Sequence, residues 1–196
     1  MGANTFSIES RGMRVHMGSN RYRSKNFSHI TYREASRFKD EFIFPAVTSI
    51  SIYGTGTATV KYKSKKSDPN VGVRGVDENF LVTGGYEIEK GRNFSEQEIQ
   101  NSRNLVIIGS DLIPKLFDKN ADPLNEIITI GGARYRIIGV LKSKGSSMGF
   151  SDDRSCMLPV TNVRQYFSRH NMSFRISVMQ TDPKLLDIAL GEAEVL

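Results

Sequence analysis

The chain has 196 residues, enough for one ordinary domain or two small ones, with 38% hydrophobic and 24% charged residues, as expected of a globular protein that buries a core. Its single cysteine, Cys156, excludes an internal disulfide and a Cys-rich zinc site, and no run approaches the ~18 apolar residues of a membrane helix. The net charge of +6 raises anionic partners as a possibility, with eight Lys/Arg from Arg11 to Lys39 and a second cluster at Lys61, Lys63, Lys65 and Lys66; charge runs of this kind more often mark a solvated face.

The first residues lack the basic-then-apolar layout of a signal peptide, and Phe6 stands where a myristoylation signal needs Ser or Thr. Thr5 to Ser10 alternates as a strand, with Phe6 and Ile8 on one side. Gly12 to Phe27 is basic, rich in Ser and Asn and without period, which predicts a mobile loop. Thr31-Tyr32-Arg33-Glu34 is a capping box, and Ala35, Phe38 and Phe42 follow at helical spacing until Pro45.

Val47 to Tyr53 reads as a strand, Gly54-Thr55-Gly56 as a turn, and Thr57 to Lys63 as the returning arm of a hairpin. Val71, Val73 and Val76 mark another strand. Asn79 to Val82 reads as one helical turn, broken by Gly84-Gly85.

The stretch Gly91 to Leu141 carries most of the pattern. It opens with Gly91-Arg92-Asn93-Phe94 and a second capping box, Ser95-Glu96-Gln97-Glu98. The apolar run Leu105 to Ile108 follows. Then comes a short helix, capped by Ser110 or Asp111, that buries Leu112, Leu116 and Phe117. Ile127 to Ile130 and Arg134 to Leu141 flank Gly131-Gly132, a strong hairpin signal.

Lys142 to Ser155 predicts a mobile loop or a connection between subdomains. Cys156 to Val160 is a short strand. Thr161 is expected to cap a helix with Val163, Tyr166 and Phe167 on one stripe. Phe174 to Met179 alternates. Pro183 opens a last helix carrying Leu185, Leu186, Ile188 and Leu190. Strands and helices in this order predict an α+β fold in two subdomains: residues 1–83 with 152–196, and an inserted unit, 84–151. The chain is expected to be a piece of a longer one, since it runs almost at once into a strand and ends at Glu192 to Leu196 without a stop signal.

No motif carries a convincing reaction. Gly145-Ser146-Ser147-Met148-Gly149 has the G-x-S-x-G spacing of a nucleophile elbow, but no helix follows and only His170 lies downstream. Gly85 to Arg92 lacks phosphate-loop spacing, and Gly54-Thr55-Gly56 lacks the third glycine of a dinucleotide loop. His16, His29 and His170 have no paired spacing for a metal. Tyr53 and Tyr62 on basic strands could stack on single-stranded nucleic acid, yet no nucleic-acid signature accompanies them. The expectation is therefore no catalytic, cofactor or metal residue and no nucleic-acid partner: a binding or structural module.

Several stretches, in order, resemble the periplasmic core domain of MacB-type ABC transporter permeases, a superfamily that includes lipoprotein-releasing and FtsX-like permeases. Gly2-Ala3-Asn4-Thr5 is similar to the family's LGANT segment, and Val73 to Phe80 to its GV…YF strand and turn. Gly91-Arg92-Asn93-Phe94 is similar to its GR-x-F motif, and Cys156 to Thr161 to its P-x-T step. Val106 to Gly109, Asp122 to Asn125 and Ile137 to Leu141 continue the pattern. Gly12 to Phe27 has no family counterpart.

The resemblance implies a porter-like βαβ lobe made from both chain ends, with an inserted smaller lobe. It implies an extracytoplasmic domain of an inner-membrane protein, between the first and second of four membrane helices. It implies work done by transmitting motion from cytoplasmic ATP hydrolysis, with the ATPase, the flanking membrane helices and a periplasmic adaptor or substrate peptide or protein as partners. The loops Gly12–Phe27 and Lys142–Ser155 then become candidate partner surfaces. The alternatives are a free-standing periplasmic binding or adaptor protein of the same fold, and a hydrolase using Ser147 and His170.

Overall fold

A strand that is apolar on both faces has to be covered on both faces, and three such strands set the centre of this molecule. They are β7 (Leu105–Ile108), β9 (Ala133–Leu141) and β10 (Ser155–Pro159), the last buried throughout. The structure, a computed structural model, describes residues 4–10, 29–144 and 152–195. The Gly12–Phe27 loop and the G-x-S-x-G stretch lie outside them.

Around the centre are β1 (Thr5–Ile8), β2 (Ala46–Ala58), β3 (Val60–Tyr62), β4 (Lys65–Lys66), β5 (Val71–Val76), β6 (Ile88–Gly91), β8 (Ile127–Ile130) and β11 (Arg175–Gln180). Among the described residues all eleven strands join in one mixed sheet, in the order β1-β11-β2-β5-β10-β7-β9-β8-β3-β4. β9 is long enough to pair β8 through residues 133–136 and β6 through residues 139–141. The pairs β5–β10 and β7–β9 are parallel and the rest antiparallel. With the helices α1 (Tyr32–Glu41), α2 (Phe80–Gly84), α3 (Glu96–Gln100), α4 (Ile113–Leu116), α5 (Val160–Tyr166) and α6 (Leu186–Val195), this is the expected α+β class.

Alternation along β2 sorts the layers. Ile50 and Ile52 face one way, where Val163 of α5 packs over Gly75 and Gly54. α1 shares that side, its Tyr32 ring lying under Arg164 of α5. Ser49 faces the other way, and its hydroxyl meets Thr83 of α2 at 2.6 Å.

Both capping boxes form. Thr31 and Glu34 exchange hydrogen bonds at the start of α1, and Ser95 and Glu98 do so at the start of α3. Gly131 and Gly132 make the β8–β9 turn with φ of +58° and +86°, the doubly positive geometry of a two-residue hairpin.

The hairpin expected at Gly54-Thr55-Gly56 is not there. β2 runs straight through these residues, with register shifts against β5 after Tyr53 and after Thr55. None of the three takes the positive φ that such a turn needs. Gly54 instead permits close approach: a Cβ there would lie 3.0 Å from the Val73 carbonyl oxygen. β3 then crosses to pair with β8, and the sheet stops at the lysine-bearing β4.

Three smaller expectations also change. The expected cap at Ser110 or Asp111 is replaced by a 3-10 turn over Ser110–Leu112 with Gly109 at the cap position, although Leu112, Leu116 and Phe117 are buried as expected. α5 starts behind Pro159, and Thr161 donates to the Ile99 carbonyl of α3 rather than capping its own helix. Tyr166, Ile188 and Leu190 point outward, and α6 makes its buried contact through Ala189.

The Gly91-Arg92-Asn93-Phe94 turn fastens β6 to β9. Gly91 sits at φ +82°, and a Cβ there would fall 2.2 Å from the Ile138 carbonyl oxygen. Arg92 donates its backbone N–H to that carbonyl, and its guanidinium grips Glu98 with two bonds of 2.7 and 2.8 Å. That grip, with the Ser95 backbone N–H, pulls the Glu98 carboxyl down to about 2 despite partial burial. Gly91→Ala combines left-handed strain with a backbone collision, so it is expected to cost about 2 kcal/mol or more. Urea unfolding of the chain checks this; an unchanged midpoint would remove the turn from the stabilising features.

Candidate functional site

Two features stand out above the sheet, a cleft and a buried junction. The cleft comes from cross-strand pairing. Ser51 and Tyr53 project from one face of β2, with Arg175 opposite Ser51 and Arg74 opposite Tyr53. With Phe80 and Phe174 they line a cleft of about 370 Å³. Arg175 is engaged by Glu9 through its Nε at 2.8 Å. Arg74 spreads its guanidinium over the Phe80 ring, donates to the Tyr86 hydroxyl at 3.3 Å and lies 3.8 Å from Asp152.

Tyr86 in turn donates to Asp152 at 2.5 Å. Burial, reinforced by that acceptor, pushes the Tyr86 hydroxyl up to about 12, so it remains a donor throughout the physiological range. Lys144 covers the same ring at 3.8 Å and donates to the Gly84 carbonyl. Beside it, buried Asp153 accepts from the Ser143 hydroxyl at 2.8 Å and the Lys144 backbone N–H at 3.1 Å. Residues 143–144 and 152–153 are thus clamped to each other and to the sheet.

The junction is built on Asp77, 3% exposed at the end of β5. Its Oδ2 accepts from Lys39 of α1 and from the Ile50 backbone N–H of β2, each at 2.8 Å. Its Oδ1 accepts from the Asn79 backbone N–H at 3.2 Å. Lys39 also bonds Glu78 at 2.6 Å, and the Glu78 carbonyl accepts from Asn93 at 2.7 Å, in the turn that leads to α3. One carboxylate therefore connects α1, β2, β5 and, through Glu78, the central unit.

Among the described residues no group of three His, Cys, Asp or Glu side chains could hold a metal. His29 and His170 are exposed. Cys156 is fully buried and its thiol is pushed well up by burial, which makes it inert. Ser147 lies outside the described residues. Tyr62 rests on Phe117 at 4.5 Å between ring centres, so that face is taken by the core. The Arg74–Tyr86–Asp152 network was not visible in the sequence, because Tyr86 and Asp152 are 66 positions apart.

A family model for the MacB-like periplasmic core domain matches residues 2–194. The chain belongs to this family. It is 24% identical over 164 residues to the macrolide export ATP-binding/permease protein MacB of Acinetobacter baylyi, covering 83% of this chain and 23% of that protein. It is 29% identical over 150 residues to the pyoverdine export ATP-binding/permease protein PvdT of Pseudomonas syringae pv. syringae, covering 76% of this chain and 21% of that protein.

The chain therefore spans less than a quarter of the length of these relatives. Its fold matches the periplasmic region of MacB from Actinobacillus actinomycetemcomitans with a TM-score of 0.71 at 16% identity, covering 99% of this chain and 83% of that one. It matches the extracellular domain of the ABC-type transporter YknZ from Gram-positive bacteria with a TM-score of 0.64 at 21% identity, covering 84% and 80%. No helix of the described residues is long and apolar enough to cross a membrane. The free-standing alternative gains no support from the family match.

Burial pushes the Asp77 carboxyl up to about 6, against the pull of the Lys39 ammonium. The folded value lies above the unfolded one of about 3.9, so the folded state holds this proton more tightly. The resulting stability is complete below about pH 4 and is lost as pH rises through about 6. The stability of the parent relative to Asp77→Asn is expected to fall as pH rises from about 4 through about 6, read from unfolding midpoints across that window. Parallel curves would show that Asp77 titrates normally.

Proposed function

We propose that this domain couples cytoplasmic ATP hydrolysis to export or extraction of a substrate by transmitting motion, and that it offers a binding surface to a periplasmic adaptor or a substrate peptide or protein. The observation that carries the reading is the family match over residues 2–194, joined to a construction suited to passing force. A continuous hydrogen-bonded sheet spreads load over many bonds, and the Asp77 junction ties a helix on one face to the central unit. The ATPase and the membrane helices that flank the domain are the remaining partners of this reading.

We further propose two working subdomains, residues 1–83 with 152–196 and the inserted residues 84–151. β3 and β4 reach from the first to the second through β8 and act as a strap. The clamp of Ser143, Lys144, Asp152 and Asp153 lies where the chain returns from the inserted unit, so a partner seated on it would feel both.

Two measurements test this. The coding sequence around the chain is expected to hold an apolar stretch of about 20 residues before Gly2 and three after Leu196; a free-standing reading frame would overturn the permease role. A photo-cross-linker at Lys142 or Lys144 of the full-length permease is expected to capture the adaptor. Capture only from α1 would move the partner surface elsewhere.

A further inference from the structure

The cleft over β2 holds more hydrogen-bond donors than the chain uses. Ser51 lines it and is 5% exposed, yet its hydroxyl has no hydrogen-bond partner among the described residues. A hydroxyl so far out of water ordinarily finds one. Arg74 carries a fork of N–H donors but makes a single hydrogen bond, at 3.3 Å to Tyr86, while Asp152 stands off at 3.8 Å. Arg175 gives its Nε and one Nη to the same Glu9 oxygen, and its other Nη has no partner among the described residues. The Ser173 hydroxyl accepts from the Ile30 backbone N–H at 3.1 Å, which leaves its own proton to donate.

These donors are held in place before any ligand arrives. The register sets Arg175 opposite Ser51 on one side of β2 and Arg74 opposite Tyr53 on the other. With strands about 4.8 Å apart, the two arginines rise about 10 Å from each other across the sheet, within reach of one small group between them. The Phe80 ring lies 5.5 Å from the Arg74 guanidinium and stiffens it. Arg169 adds a third cation at the rim, 5.5 Å from the Tyr53 ring and bonded to the Tyr53 and Gly54 carbonyls.

Every unspent group is a donor, so the complement is an anion. Guanidinium forks with a hydroxyl between them suit the planar, singly charged carboxylate. Glu9, in the same cleft, repels a dianion such as phosphate. A volume of about 370 Å³ takes the end of a chain or one side chain, not a folded partner. We infer that this cleft recognises a carboxylate of a peptide, either its C-terminal group or an Asp or Glu side chain. Arg175 and Arg74 hold the carboxylate oxygens, and Ser51 donates from the floor. The inference rests on the permease reading for the source of the peptide, which is then a class of substrate.

The test is calorimetric titration of the full-length permease in detergent with acetyl-Gly-Ala-Ser-Ala in three forms: free C-terminus, amidated, and amidated with Glu in place of Ser. Binding by the first or the third form is expected, and which of them binds names the source of the carboxylate. The neutral amide is expected to bind about tenfold more weakly or not at all. Arg175→Gln is expected to lower the affinity of the bound form about tenfold. Ser51→Ala is expected to lower it severalfold with no loss in unfolding midpoint, because its hydroxyl serves no partner among the described residues; a purely structural serine would show the reverse. Equal binding of all three forms, binding of none, displacement by equimolar inorganic phosphate, or affinity unchanged in both variants would each overturn the inference. ATP hydrolysis measured with the same peptide reads the permease role separately. Binding without stimulation leaves the site standing and counts against the coupling alone.

Discussion

A carboxylate removed from water must find its compensation in the protein, and Asp77 finds it in Lys39, the Ile50 backbone and the Asn79 backbone. Each donor comes from a different part of the chain. The group therefore does more than balance a charge: it fixes where α1 lies over β2 and where α2 begins. Breaking a buried pair from one side costs about 3–5 kcal/mol because the orphaned charge stays behind. Lys39 is less deeply placed than its partner, with its side chain 22% exposed, so water would soften that penalty. The constraint reaches further through Glu78, whose carbonyl holds Asn93 and with it the turn that starts the central unit.

That turn shows how a short motif earns its place by backbone geometry alone. Gly91 and Gly139 stand where two chains approach too closely for a side chain, each against a carbonyl oxygen of the other segment. Arg92 then closes on Glu98, which is already the capping residue of α3. A glycine, a cation and a cap thus act within eight residues, and Phe94 fills the core beneath them. None of these groups needs a ligand to justify it, so the motif marks fold rather than chemistry.

Local signals were legible in the sequence where one segment determines its own shape. Thr31 with Glu34, Ser95 with Glu98, and Gly131-Gly132 all form the structures their spacing predicts. Signals failed where a distant neighbour decides. Gly54-Thr55-Gly56 reads as a turn, but β5 and α5 need a close approach there and keep the strand running. Thr161 is a reasonable cap for α5, yet Ile99 sits in reach of its hydroxyl. The cleft was hidden for the same reason: Ser51, Tyr53, Arg74 and Arg175 come together only through the sheet register. Family resemblance supplied what spacing could not, since it carries the outcome of those long-range contacts without stating them.

The far margin of the sheet has a consequence of its own. β4 is two residues long and both are lysines, and Lys66 faces Lys61 across the β3–β4 pair. Like charges set opposite each other weaken the last rung, and so short and cationic a margin offers little backbone for another strand to copy. A sheet this wide would otherwise be a template for intermolecular growth. The lysine margin therefore acts as a terminator against aggregation.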